Sequence, residues 1–71
     1  MKVLFTLHAR ERMMQRGAAE QEVIETIRKP DTTFSDKEGR TRFRRAWAGK
    51  VVEVRAVLEV ETWVVVTVIV Q

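Results

Sequence analysis

The chain has 71 residues, near the size at which apolar burial only narrowly offsets chain entropy, so the reading is one small domain over residues 1–71. It has no cysteine, which excludes disulfides, thiolate metal sites and a cysteine nucleophile, and a reducing cytoplasm fits that composition. The formal charge is +3, from 13 basic and 10 acidic residues, and favours an acidic partner.

Charge returns at Arg10, too soon after the start for a signal-peptide core, and no stretch reaches the roughly 18 apolar residues of a membrane span. No membrane association is therefore expected. Val3 to Phe5 reads either as a short strand or as an apolar lead-in. Thr6 is the best N-cap for a first helix from about Leu7 to Arg16, since its hydroxyl can accept an orphan amide. Gly17 ends that helix, because glycine takes the left-handed conformation at little cost. A second helix runs from about Ala19 to Lys29, with Val23, Ile24 and Ile27 on one face and glutamates mostly on the other. Pro30 stops it, and the two helices form a hairpin.

After Pro30 the pattern changes to a period of two. Thr32 to Ser35 is a weak strand, Asp36 to Gly39 a turn, and Arg40 to Ala48 a strand with Thr41, Phe43, Arg45 and Trp47 alternating against Arg42, Arg44, Ala46 and Ala48. Gly49-Lys50 turns into a strand from Val51 to Leu58. Glu59 to Glu61 connects it to the last and most apolar strand, Thr62 to Val70. Strict alternation there sends Trp63, Val65 and Ile69 one way and Val64, Val66, Val68 and Val70 the other. The expected fold is α+β, with an N-terminal helical hairpin packed on a curved antiparallel sheet of three or four strands. A last strand apolar on both faces leaves an exposed valine patch, which points to a homodimer or another apolar partner.

The chemistry centres on His8 to Gly17, which holds the only histidine and three arginines. On a helix His8, Arg12 and Arg16 are spaced i, i+4, i+8 and form one row, an imidazole and two guanidiniums suited to a phosphate. His8 is the one side chain fitted for proton transfer near neutral pH; equally, it can be a packed, capping histidine. Arg12 and Arg16 can neutralise a phosphate and its transition state, or be a solvated helix face. A metal site is not expected, because no second histidine or cysteine stands at ligand spacing, and no cofactor is implied. From Arg28 to Lys50 eight basic residues (Arg28, Lys29, Lys37, Arg40, Arg42, Arg44, Arg45, Lys50) stand against three acidic ones (Asp31, Asp36, Glu38). Arg40, Arg42 and Arg44 suit a nucleic-acid backbone, while Arg45 shares the core-facing side with Phe43 and Trp47. Charged gatekeepers on an edge strand would have the same composition. Glu53, Glu59 and Glu61 read as surface charges.

Thr6-Leu7-His8-Ala9, then Arg12-Met13 and Arg16-Gly17, a short helix ending near Pro30 and strands closing on Val65-Val66-Thr67-Val68 together resemble the bacterial domain of unknown function 4258. That family opens with His-Ala-x-x-Arg-Met-x-x-Arg-Gly; this chain has Ala18 and Ala19 where isoleucine and serine are common. The family has been likened to the RelE and ParE toxin type, within a broader group of metal-independent ribonuclease folds, and occurs near toxin and antitoxin genes. The resemblance implies that His8, Arg12, Arg16 and Thr67 are its motif positions. His8 would then take a ribose 2′-hydroxyl proton, Arg12 and Arg16 would hold the scissile phosphate, and Thr67 would bond the histidine or the phosphate. Arg42 or Arg44 would guide the RNA. The leading expectation is thus a ribonuclease-like toxin domain, or a degenerate relative, with RNA and an antitoxin as partners. The alternative is a noncatalytic module, dimeric through its last strand, that binds nucleic acid or protein.

Overall fold

A computed structural model describes residues 1–71. The elements in chain order are strand β1 (Lys2–Phe5), helices α1 (Leu7–Arg16) and α2 (Glu20–Arg28), and strands β2 (Thr32–Ser35), β3 (Thr41–Trp47), β4 (Lys50–Glu59) and β5 (Thr62–Val70). Local signals set both helix boundaries. Thr6 Oγ1 accepts the Ala9 amide at 3.1 Å, and Gly17, at φ 73, returns its own amide to the Met13 carbonyl. Ala19 has no side-chain oxygen to cap α2, so Glu22 reaches back to accept the Ala19 amide at 2.9 Å. α2 spans one residue less at each end than the Ala19 to Lys29 expectation, those two residues being its caps.

The five strands form one sheet in the order β1-β5-β4-β3-β2. Three or four antiparallel strands is therefore corrected to five in a mixed sheet, because β1 pairs parallel to β5, from Lys2 opposite Thr62 to Phe5 opposite Val65. The other pairings are antiparallel. The connection Glu59 to Glu61 tightens to a two-residue turn, Val60-Glu61, between Glu59 and its partner Thr62. Val60 sits there at φ 57, a conformation that costs a side-chain-bearing residue about 1–2 kcal/mol.

Both helices pack on one face of the sheet. α1 contributes Ala9 and Met13, one turn apart, and α2 contributes Val23 and Ile27. They meet Phe43 of β3, Val52, Val54 and Ala56 of β4, and Val65 and Val68 of β5 in a single cluster. The Phe43 and Trp63 rings meet edge to face at 4.9 Å within it. Thr26 is the one buried polar residue, and both its bonding capacities are used: it donates to the Glu22 carbonyl at 2.7 Å and accepts from Trp47 Nε1 at 3.2 Å. Arg45 lies on this face as expected, with its guanidinium over the Trp47 ring at 4.4 Å.

The last strand departs from strict alternation. Its register with β4 shifts between Arg55 and Ala56, so that Thr67 opposes Arg55 but Val65 opposes Ala56, leaving Val66 as an extra residue. The bulge turns Trp63, Val65, Val68 and Val70 toward the helices and Val64, Thr67 and Ile69 to the other side. The expected exposed face of Val64, Val66, Val68 and Val70 therefore does not exist: Val68 is buried and Val70 packs against the core.

Candidate functional site

The sheet's second face carries no helix, and cross-strand pairing dictates what lies side by side on it. Thr67 of β5 is opposite Arg55 of β4, Arg55 is opposite Arg42 of β3, and Arg42 is opposite Phe34 of β2. These four side chains form one row across the open face, running perpendicular to the strands. Three strand spacings of about 4.8 Å make it roughly 14 Å long. The next row is Ile69, Glu53, Arg44 and Thr32, and on the other side lies an apolar strip of Leu4, Val64 and Val57.

α1 brings His8 to the end of the first row. β1 leaves the edge of β5 at Val65, the chain turns at Thr6, and the Thr6 hydroxyl donates to the carbonyl of the bulge residue Val66 at 3.5 Å. The helix then starts beside the strand-free part of that edge. His8, exposed in the first turn, lies with Nε2 3.4 Å from Thr67 Oγ1. Either group can donate there, according to which ring nitrogen carries the proton. The bulge is what makes the meeting feasible, since strict alternation would have turned Thr67 to the Trp63 side, under the helices.

Of the residues selected from the sequence, the structure brings His8 and Thr67 together. Arg12 follows one turn along α1, half-buried, with its guanidinium donating to Gln15 Oε1 at 2.9 Å. Arg16 is exposed at the far end of the helix, about 12 Å from His8 along the axis at 1.5 Å per residue. Arg42 lies in the His8 row. Arg44 is in the neighbouring row and reaches Gln71 Oε1 at 3.0 Å. Arg40 belongs to the β2–β3 turn, beside Glu38 at 3.8 Å.

Arg55 was missed, although it stands directly between Thr67 and Arg42. The usable signal was Glu53 and Arg55 sharing one side of a strand whose other side is Val52, Val54 and Ala56. Glu53, read as a surface charge, is instead largely enclosed and bridges the two rows, with Oε2 2.8 Å from Arg55 Nε and Oε1 3.5 Å from Arg44 Nε. Asp36 does the same for Arg42, accepting from its Nε at 3.2 Å and from the Glu38 and Arg40 amides at 2.9 and 3.0 Å. Desolvation alone would raise the Asp36 carboxyl, but the two amides and the guanidinium outweigh it and hold the group below its ordinary value. The arginines are thus aligned by carboxylates and keep donors free for a ligand.

The row lies on open surface rather than in a pocket. The two hollows of the molecule are elsewhere, one of about 530 Å³ beside Met1, Lys2 and the Val60 turn and one of about 270 Å³ between Met13, Ala18 and Glu20. No three His, Cys, Asp or Glu side chains converge in the manner of a metal ligand set. No helix is long and apolar enough to cross a membrane.

Fold and site together define a small α+β domain with a bare sheet face crossed by an arginine row that ends at a histidine. Residues 5–70 match the family described as domain of unknown function (DUF4258), and the chain belongs to that family. Neither a curated protein nor a solved structure matches the chain.

Proposed function

We propose that this chain is a metal-independent ribonuclease-like domain that takes the RNA backbone on its bare sheet face. The observation that carries the reading is His8 Nε2 at 3.4 Å from Thr67 Oγ1, at the end of the row continued by Arg55 and Arg42. An open face on which Arg42, Arg44 and Arg55 outnumber Asp36 and Glu53 suits a polyanion better than a small molecule. Arg55 and Arg42 bind successive phosphates, and Arg12, one turn from His8, reaches the scissile one. His8 accepts the ribose 2′-hydroxyl proton; the 2′-oxygen attacks phosphorus, the bond to the 5′-oxygen breaks, and that oxygen takes a proton from water, leaving a 2′,3′-cyclic phosphate. The guanidiniums offset the charge that grows on the phosphoryl oxygens in between. In a toxin–antitoxin type system, in the cytoplasm, such a domain arrests growth until an antitoxin covers the row. The apolar strip of Leu4, Val57 and Val64 gives that partner, or a second copy, an anchor.

The test is cleavage of a mixed-sequence RNA without added metal by the parent, His8→Ala and Arg12→Ala proteins, alongside growth on induction. Loss of a general base costs about 10²–10⁴-fold, so His8→Ala should lose cleavage and the growth defect. Equal cleavage by the parent and His8→Ala would overturn the reading. A second reading, noncatalytic RNA binding, is favoured by one observation: no other proton-transfer side chain meets His8. Salt-dependent binding that weakens in Arg42→Ala and Arg55→Ala, with no cleavage by the parent, is its signature.

A further inference from the structure

Of the five aromatic side chains, four face the helices: Phe5 and Trp63 through pairing with β5 and β4 partners of the core face, Phe43 as a buried core residue, and Trp47 in its bond to Thr26. Phe34 alone is on the bare face. It is 47 % exposed, although burial elsewhere in so small a domain is at a premium. β2 is the terminal strand, so nothing borders Phe34 on its outer side. On its inner side the Arg42 guanidinium is 5.4 Å from the ring centroid, which fixes the ring at the end of the row opposite His8.

An aromatic ring beside a guanidinium that holds a phosphate is the arrangement on which an unpaired base stacks. Bases within a duplex already stack on one another and cannot lie on a side chain. We infer that Phe34 is a base-stacking platform, and that the row from His8 to Phe34 selects single-stranded RNA, with phosphates on Arg55 and Arg42 and one unpaired base on Phe34. This rests on the RNA reading above and adds to it the strandedness of the substrate and the residue that senses it.

Binding of a labelled 2′-O-methyl RNA octamer, which lacks the attacking hydroxyl, isolates recognition from cleavage. The octamer is compared with versions carrying an abasic site at each position in turn and with the same strand in a full duplex. Phe34→Leu should weaken the intact single strand about tenfold, leave the salt slope unchanged and leave the duplex unaffected, while Phe34→Trp retains affinity. One abasic position should cost the parent a similar factor and cost Phe34→Leu nothing further, a non-additivity that general loosening of the fold would not produce. Parent binding that falls with salt but is indifferent to Phe34→Leu and to every abasic position overturns the inference and leaves the RNA reading standing. If the parent binds neither form, both are overturned.

Discussion

At the scale of single residues, the contact that matters most is between two side chains 59 positions apart, His8 and Thr67. Thr67 occupies a place in an apolar strand that valine would fill equally well, and its hydroxyl is turned to the imidazole. In the proposed mechanism its role is positioning: the contact holds the ring facing the row, and the hydroxyl takes no part in the bond changes. Thr67→Val keeps the shape and removes one hydrogen bond, so RNA cleavage should fall by about five- to tenfold, the equivalent of roughly 1 kcal/mol. Thr67→Ser restores the hydroxyl and should recover most of the loss. RNA affinity should be unchanged in both, because Arg42 and Arg55, the proposed phosphate contacts, are untouched. Cleavage rate and affinity measured on the same three proteins separate this from structural damage, which lowers both.

At the scale of elements, one residue couples the start of α1 to the bulge of β5. The Thr6 hydroxyl caps the helix through the Ala9 amide and donates to the Val66 carbonyl. Thr6→Ala should cost about 1 kcal/mol of stability by loss of the cap, read from the denaturant midpoint. Because it also unties the helix from the strand carrying Thr67, it should lower cleavage even where the domain remains fully folded. The two halves of this device were unequally legible in the sequence. Thr6 and Gly17 announce α1 because capping is chemistry between near neighbours. The bulge at Val66 does not announce itself, because it arises from the pairing of β5 with Arg55 and Ala56, and alternation within one strand carries no trace of it. For the same reason β1 could not be told from a lead-in: its partner, β5, begins about sixty residues later. His8 stands out in the sequence as the only imidazole, in a cationic row at helical spacing, and Thr67 through the family motif, whereas Arg55 and Phe34 join the row only by strand order, which the sequence does not state.

At the scale of the whole molecule, the core is small, eleven buried apolar residues and Thr26, so carboxylates that tie elements together matter more than in a larger domain. Glu22 joins the start of α2 to the start of β4: its carboxylate accepts the Ala19 amide and the Lys50 ammonium, which also donates to the Gly17 carbonyl. The Ala19 amide first, and Lys50 after it, hold the Glu22 carboxyl below its ordinary value against the desolvation that would raise it. Asp36 is held low in the β2–β3 turn, where its bonds lock Arg42 into the row. A carboxyl whose folded value lies below its unfolded one stabilises the fold fully above the unfolded value and ceases to do so as the pH falls through the folded one. The unfolded values are about 4.5 for Glu22 and 3.8 for Asp36, so these two groups contribute no change in melting temperature between pH 5 and 7 and a decline below about pH 4.5. Glu22→Gln should lower the melting temperature at pH 7 and flatten the acid decline, since the variant has already lost what acid removes. Asp36→Asn should do the same and differ in one respect. It keeps an oxygen for the turn amides but removes the negative charge facing Arg42, so its RNA affinity at pH 7 should rise while its stability falls. A variant less stable yet tighter-binding would mean that the carboxylate restrains the row, and equal loss of both would mean that it only builds it.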